Sequence, residues 1–211
     1  MTPLTPALAR GASVVPIVEG QGEVEAVPIL LRRVLHSQTA HSVEVRRPIR
    51  VKRNQVVKPG ELERAIELAA MQPNCRAILI LLDADDDCPA VLGLELLLRA
   101  QAARPDVPCS VVLAKSEFEA WFVGSIESLR GHCGIREEAV APAAPEDIRG
   151  AKGWLTRQMS AGRTYLETDD QPSLASRFDI QQARQRCDSF DKFMRDVDAL
   201  LVLVSSNKEP I

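Results

Sequence analysis

Paired cysteines are missing from this chain. Its 211 residues hold five cysteines (Cys75, Cys88, Cys109, Cys133 and Cys187), an odd number, scattered and never in a CxxC pair. That pattern excludes a disulfide frame and a zinc knuckle and reads as free thiols in a reducing compartment. Aromatic residues are also scarce, at 4% against 45% hydrophobic, so aliphatic side chains must fill most of the interior, which favours helices packed on a sheet. No stretch approaches the ~18 consecutive apolar residues of a membrane span. The opening MTPLTPALARGAS has one Arg and no apolar run of signal-peptide length. The expected location is the cytoplasm, with no membrane partner. A net charge of −3 supplies no general basic field, so any contact with nucleic acid needs a local patch or metal ions that offset the acids.

What is present is an alternation of strand and helix signals. Ser13 to Val18 is a β-branched apolar run, although Pro16 within it implies some irregularity. Glu23 to about Leu35 has helical periodicity, with Pro28 tolerable only in a first turn. Ser42 to Val51 reads as an exposed strand carrying Arg46, Arg47 and Arg50, and Lys52, Arg53 and Lys58 continue the charge into a loop. Glu61 to Met71 is a helix with Leu62, Ala65, Ile66 and Ala69 on one face; AILILL (77–82) is the most strand-like run; Val91 to Ala102 is helical; Cys109 to Leu113 is a fourth strand; and Glu117 to about Ser128 is a helix. Four strands separated by helices predict an α/β fold with a mainly parallel four-stranded sheet sandwiched by helices. Beyond Gly131 the signals are helical, over Pro145–Met159, Ser173–Cys187 and Ser189 to about Leu203. The expected organisation is an α/β domain over 13–130 and a helical C-terminal extension over 131–211 packed on it.

The chemistry-bearing residues gather at the carboxyl ends of the strands, where open parallel sheets bind ligands. Glu19 follows the first strand, Asp83, Asp85 and Asp87 follow the third, and Glu117 and Glu119 follow the fourth. Asp83 and Asp85 are two apart, so an extended backbone would point them to one side. Carboxylates brought that close need a counter-ion. A hard divalent cation such as Mg²⁺ or Mn²⁺ suits them, because zinc would call for His or Cys and the three histidines (His36, His41, His132) lie far from these motifs in sequence. The implied reaction is metal-assisted phosphoryl chemistry. Lys115 is placed to offset charge as a second catalytic group, and Glu117 is a further candidate beside the metal, although it and Glu119 also suit the positive end of a helix dipole. Arg46, Arg47, Arg50, Lys52 and Arg53 are the candidate nucleic-acid contacts, with edge-strand protection as the competing explanation. Lys152 could offset charge near the site but reads first as a surface lysine, Trp121 and Trp154 read as core, and Cys88 as a small buried filler.

Glu19-Gly20 after a first strand, Asp-x-Asp after a third, and the β-α order between them resemble the Toprim domain of topoisomerases, primases, small ribosomal-RNA maturases and overcome-lysogenisation-defect nucleases. The resemblance covers about Ser13 to Leu129. IVEGQGE, LLDADDD, AKSEFEAWF and RGAKGWL together resemble a bacterial family with a Toprim-like core whose members are often encoded beside AAA-type ATPases. The resemblance implies that Glu19 is a general acid/base or metal-linked carboxylate, that Asp83 and Asp85, joined by Asp87, are metal ligands, and that the chain is a Mg²⁺- or Mn²⁺-dependent nuclease that works with an ATPase in genome defence. Asp86-Asp87-Cys88-Pro89 stands where the Toprim pattern usually has a glycine, and the single tyrosine, Tyr165, falls in the helical tail, which argues against a topoisomerase. A non-catalytic Toprim-shaped partner or regulator of an ATPase is the alternative, and a phospho-acceptor receiver domain is a third class with the same sheet.

Overall fold

A computed structural model describes residues 11–38, 40 and 42–206; the first ten residues and His41, both weighed above, lie outside it. Every strand pairing is parallel. Strand β1 (Ser13–Val18) is flanked on one side by β4 (Cys75–Asp83), which pairs in turn with β5 (Cys109–Ala114), and on the other by two short strands, β2 (Glu44–Val45) and β3 (Ile49–Arg50). The fold class is thus the expected one, with one change: the strand expected over 42–51 is two strands.

Two prolines account for the break. The carbonyls of Val14 and Val18 accept from the amides of Arg46 and Val51, so Pro16, midway between them, faces the same neighbour and has no N–H to offer. Its register position falls in the gap between β2, which aligns with Ser13 and Val14, and β3, which aligns with Ile17 and Val18. Pro48 within that gap also lacks a donor, so Arg46, Arg47 and Pro48 have little ladder to join.

The helices in chain order are α1 (Glu23–Ser37), α2 (Arg53–Val56), α3 (Glu61–Ala70), α4 (Pro89–Ala103), α5 (Ala120–Gly124), α6 (Ala151–Gln158), α7 (Glu167–Ala175), α8 (Ile180–Arg186) and α9 (Asp188–Ser206). Helices α3 and α4 cover one sheet face, burying Leu62, Ile66, Leu96 and Ala100 against Val15, Ile17, Ile78 and Ile80. On the other face α1, α9 and the rest of the tail share one apolar cluster with Val14, Val18, Leu79 and Val112. Because both faces are covered, β1 is buried throughout, as a central parallel strand must be.

Three local expectations are corrected. Pro28 sits inside α1 beyond its first turn. The tail helix expected over 173–187 is two helices beginning earlier, because the Asp179 side chain accepts from the amides of Gln181 and Gln182 and caps a fresh start. The helix expected over 117–128 is only α5 followed by a 3-10 segment, Ile126–Leu129.

The few aromatic residues are concentrated. Trp121 packs 4.8–5.3 Å, centroid to centroid, from Phe118, Phe190 and Phe193, and its indole N–H donates to Ser189 Oγ at 2.8 Å. Each such side chain, fully removed from water, contributes on the order of 2–3 kcal/mol. This cluster joins α5, which follows β5, to α9, and so ties the tail to the carboxyl end of the sheet. No helix among the described residues is long and apolar enough to cross a membrane.

Candidate functional site

The order β2/β3-β1-β4-β5 means that the chain leaves β1 toward one edge and later returns on the other side, to β4. Loops after β1 and β4 therefore diverge and leave a crevice at their carboxyl ends. Glu19 and Asp83 stand on its two sides, and both line an opening of about 430 Å³ together with Glu23, Lys152 and Glu167.

Each carboxyl group is held by a specific element. Glu23, the first residue of α1, turns back so that its Oε2 accepts from the backbone N–H groups of Glu19 and Gly20 at 3.0 and 3.2 Å. The loop is thereby wrapped around a carboxylate. Asp83, the last residue of β4, accepts from the Phe118 N–H at 2.7 Å through Oδ1, which links the ends of β4 and β5. Glu119 is completely buried; its Oε1 accepts from the Tyr165 hydroxyl at 3.0 Å and the Gln171 amide at 3.1 Å. Lys152, in the first turn of α6, places Nζ 3.1 Å from Glu167 and 3.9 Å from Glu119.

Burial and mutual repulsion raise the proton affinity of the whole group. Burial, then Glu119 and Glu19, pushes Glu23 up to about 7. Asp83 lies well above the usual carboxyl range, first through burial and then through Glu23, Glu119 and Glu19. Glu119 also reaches about 7, mainly through burial and despite Lys152 nearby, and Glu19 is raised by burial and by Asp85. Burial alone would lower the Lys152 ammonium, but Glu119 and Glu167 hold it above its ordinary value. Four carboxyl groups from three separate segments of the chain thus compete for little compensating charge.

Two oxygens make the shortage concrete. Glu19 Oε2 and Glu119 Oε2 are buried and have no hydrogen-bond partner, which is costly for an acceptor unless something else binds it. All the donors are carboxylate oxygens, so the chemistry fits a hard divalent cation. Among the described residues, however, no group of three or more His, Cys, Asp or Glu side chains stands ready to hold an ion. The fit is therefore to an ion that takes one or two carboxylates and completes its shell with water and phosphate, the habit of Mg²⁺.

The other candidates are placed differently. Strand β4 stops at Asp83 and Asp85 adopts a left-handed φ of 50°, so the extended alternation that would align Asp83 with Asp85 fails. Asp85 and Asp87 turn outward to Arg53, Asp85 at 3.9 Å and Asp87 in a direct ion pair. Lys115 is exposed, pairs with Asp147 at 2.6 Å and lines a neighbouring opening, not the one that holds Glu19. Glu117 accepts from the Ala151 and Lys152 N–H groups; it does meet a helix dipole, that of α6. Arg50, Lys52 and Arg53 rim the acid crevice, and Arg50 donates to the Glu19 carbonyl at 3.0 Å. Arg46 pairs with Glu44 and Arg47 lies exposed along the sheet edge, away from the crevice lining. Cys88 is exposed, not a buried filler.

Sequence reasoning missed Glu23 and Glu167 as members of the crevice and Tyr165 and Gln171 as the groups that hold Glu119 behind it; it placed Glu119 at the strand ends without preferring it for the site, and ranked Lys152 as a surface lysine ahead of a site group. A signal existed for Glu23, which stands four residues after Glu19. Comparison of the chain with curated proteins and with solved structures returns no match. A family profile does match, across residues 18–198, a span that takes in the crevice, every strand after β1 and most of the helical tail. The chain belongs to the family described as Domain of unknown function (DUF4276).

Proposed function

We propose that this chain is a Toprim-like, Mg²⁺- or Mn²⁺-dependent phosphodiesterase that cleaves nucleic acid in the cytoplasm. The observation that supports it most is the crevice at the β1/β4 switch point: an acidic floor of Glu19, Glu23 and Asp83, with Glu119 buried behind Lys152, under a cationic rim of Arg50, Lys52, Arg53 and Lys152. Acids for a cation and cations for phosphates are the two halves of a metal-assisted phosphoryl site.

Glu19 and Asp83 would hold the ion. When bound, it polarises the phosphate and makes a water acidic enough to attack. Glu19 is suited to take up the proton of an attacking water, because burial raises its carboxyl above the ordinary value and Oε2 has no hydrogen-bond partner. Lys152 faces the place where charge builds on the phosphate, and Glu119, with Tyr165 and Gln171 behind it, orients the ammonium. The test is nicking of DNA and cleavage of RNA in Mn²⁺ by wild type, Glu19→Gln and Asp83→Asn, with Mn²⁺ binding measured by calorimetry. Loss of both cleavage and binding in the variants is expected; equal activity and equal affinity across the three would sink the reading.

A second reading, a non-catalytic regulator of an AAA-type ATPase, is favoured by one feature. Arg53 already pairs with the Asp85–Asp87 turn and Lys152 with the inner acids, so part of the charge is neutralised within the chain. Co-purification with an ATPase by a chain that binds no Mn²⁺ would decide for it.

A further inference from the structure

Beside the acid crevice lies a second opening of about 300 Å³, lined by Lys115, Ser116, Arg149, Gly150, the Asp85–Asp87 turn and Glu117, whose carboxylate is taken up by the Ala151 and Lys152 N–H groups. The two share walls. Arg53 of the first is joined to Asp85 and Asp87 of the second, and Gly150 of the second lies just before Lys152 of the first. The cations of the second opening are held only by exposed acids: Lys115 by Asp147 at 2.6 Å, and Arg149 by Asp86 at 3.0 Å with both side chains more than 80% exposed (86% and 83%). Pairs so open to water contribute little and exchange partners readily.

Neither opening offers a stacking platform for bases. Phe118, Trp121, Phe122, Phe178, Phe190 and Phe193 are all buried, Tyr165 is 6% exposed, and Trp154 packs against the core. These are all eight aromatic residues of the chain. Stacking on aromatic rings is how unpaired bases are usually held; here the exposed groups of both openings are charged and polar side chains.

We infer that the second opening is a subsite for the phosphate adjacent to the one cleaved, gripped by Lys115 and Arg149, so that the substrate is a polynucleotide held by successive backbone phosphates without base readout. The inference rests on the phosphodiesterase reading and names its substrate class. An incoming phosphate takes the Lys115 and Arg149 heads from Asp147 and Asp86, and those exposed acids return to water. Lys115, expected from the sequence to act in the chemical step, then acts in holding polymer.

Wild type and the Lys115→Ala/Arg149→Ala double variant are compared in Mn²⁺ on bis(p-nitrophenyl) phosphate and on a labelled mixed-sequence duplex, and in Ca²⁺ for binding of the duplex over a range of salt. The variant is expected to lose about tenfold of the preference, in kcat/KM, for polymer over small diester. The slope of log affinity against log salt should fall by about two, one for each phosphate contact removed. A charge-retaining Lys115→Arg/Arg149→Lys variant should recover most of both. An unaltered preference and slope would overturn the subsite, as would a wild type that binds no duplex at low salt. Hydrolysis of neither substrate, with the slope still falling, would instead overturn the phosphodiesterase reading and keep the subsite.

Discussion

Glu119→Gln is predicted to stabilise the metal-free protein at alkaline pH and to do so less and less as pH falls. The carboxyl is fully buried and titrates at about 7 against an ordinary 4.5, and each tenfold rise in proton affinity is worth about 1.4 kcal/mol. Because the native pKa is raised, the native state holds a proton that the unfolded chain gives up between these values. Stability is therefore lost as pH rises through about 7, and the charged form costs the fold about 3 kcal/mol above it. An amide at this position keeps an oxygen for the Tyr165 hydroxyl and the Gln171 amide and removes the charge. Lys152 keeps Glu167 at 3.1 Å. Urea unfolding in chelator at pH 8 should show Glu119→Gln more stable by about 2–3 kcal/mol, a difference on the order of 5–10 °C in melting temperature for a chain of this size. By pH 5 most of the gain should be gone. A variant no more stable than wild type at pH 8, or a difference constant across the range, would refute the reasoning that Lys152, at 3.9 Å, leaves this buried carboxylate only partly compensated.

Two further predictions follow from the same crevice. Its acids are raised by burial and by one another, Glu19 and Asp83 among them and Glu23 to about 7, so negative charge in the crevice is withdrawn as pH falls; Mn²⁺ affinity by calorimetry should weaken at least tenfold from pH 8 to pH 6, and a flat profile would contradict the arrangement. Gly22→Ala would put a Cβ 2.3 Å from Gln171 Oε1 and 2.6 Å from the Glu167 carbonyl oxygen; prising α7 from the β1–α1 turn should lower the urea midpoint by the equivalent of about 1–3 kcal/mol, and an unchanged midpoint would mean that the contact is slack.

The parts of the fold legible in the sequence were those with a local cause. AILILL and the run from Ser13 to Val18 are strands because apolar, β-branched segments between helical stretches have few other ways to bury both faces. The split of the edge strand was harder to see: it depends on Pro16 facing β2 and β3, which only the register reveals. Glu19 and Asp83 were legible for a similar reason, since a strand end fixes where the next side chain goes. Asp85 was not, because a left-handed aspartate turns the chain at that point and nothing in DADDD distinguishes it from an extended one. Glu23 was assigned to the start of α1 and does lie there, yet its carboxylate reaches back to the preceding loop. The partners of Glu119 stand 46 and 52 residues further along the chain, and no periodicity connects residues across such a distance.

The clasp of α7 on the Gly20–Gly22 turn bears on how the protein is made. Glu167 reaches the Gly22 amide across 145 residues, and Lys152, Tyr165 and Gln171 also come from the late part of the chain. While that part is still inside the ribosome, the emerged segment carries the acids but neither the lysine nor the tyrosine that completes their surroundings. On the reading proposed above, cleavage would wait until the later helices close over the sheet and complete the surroundings of the acids.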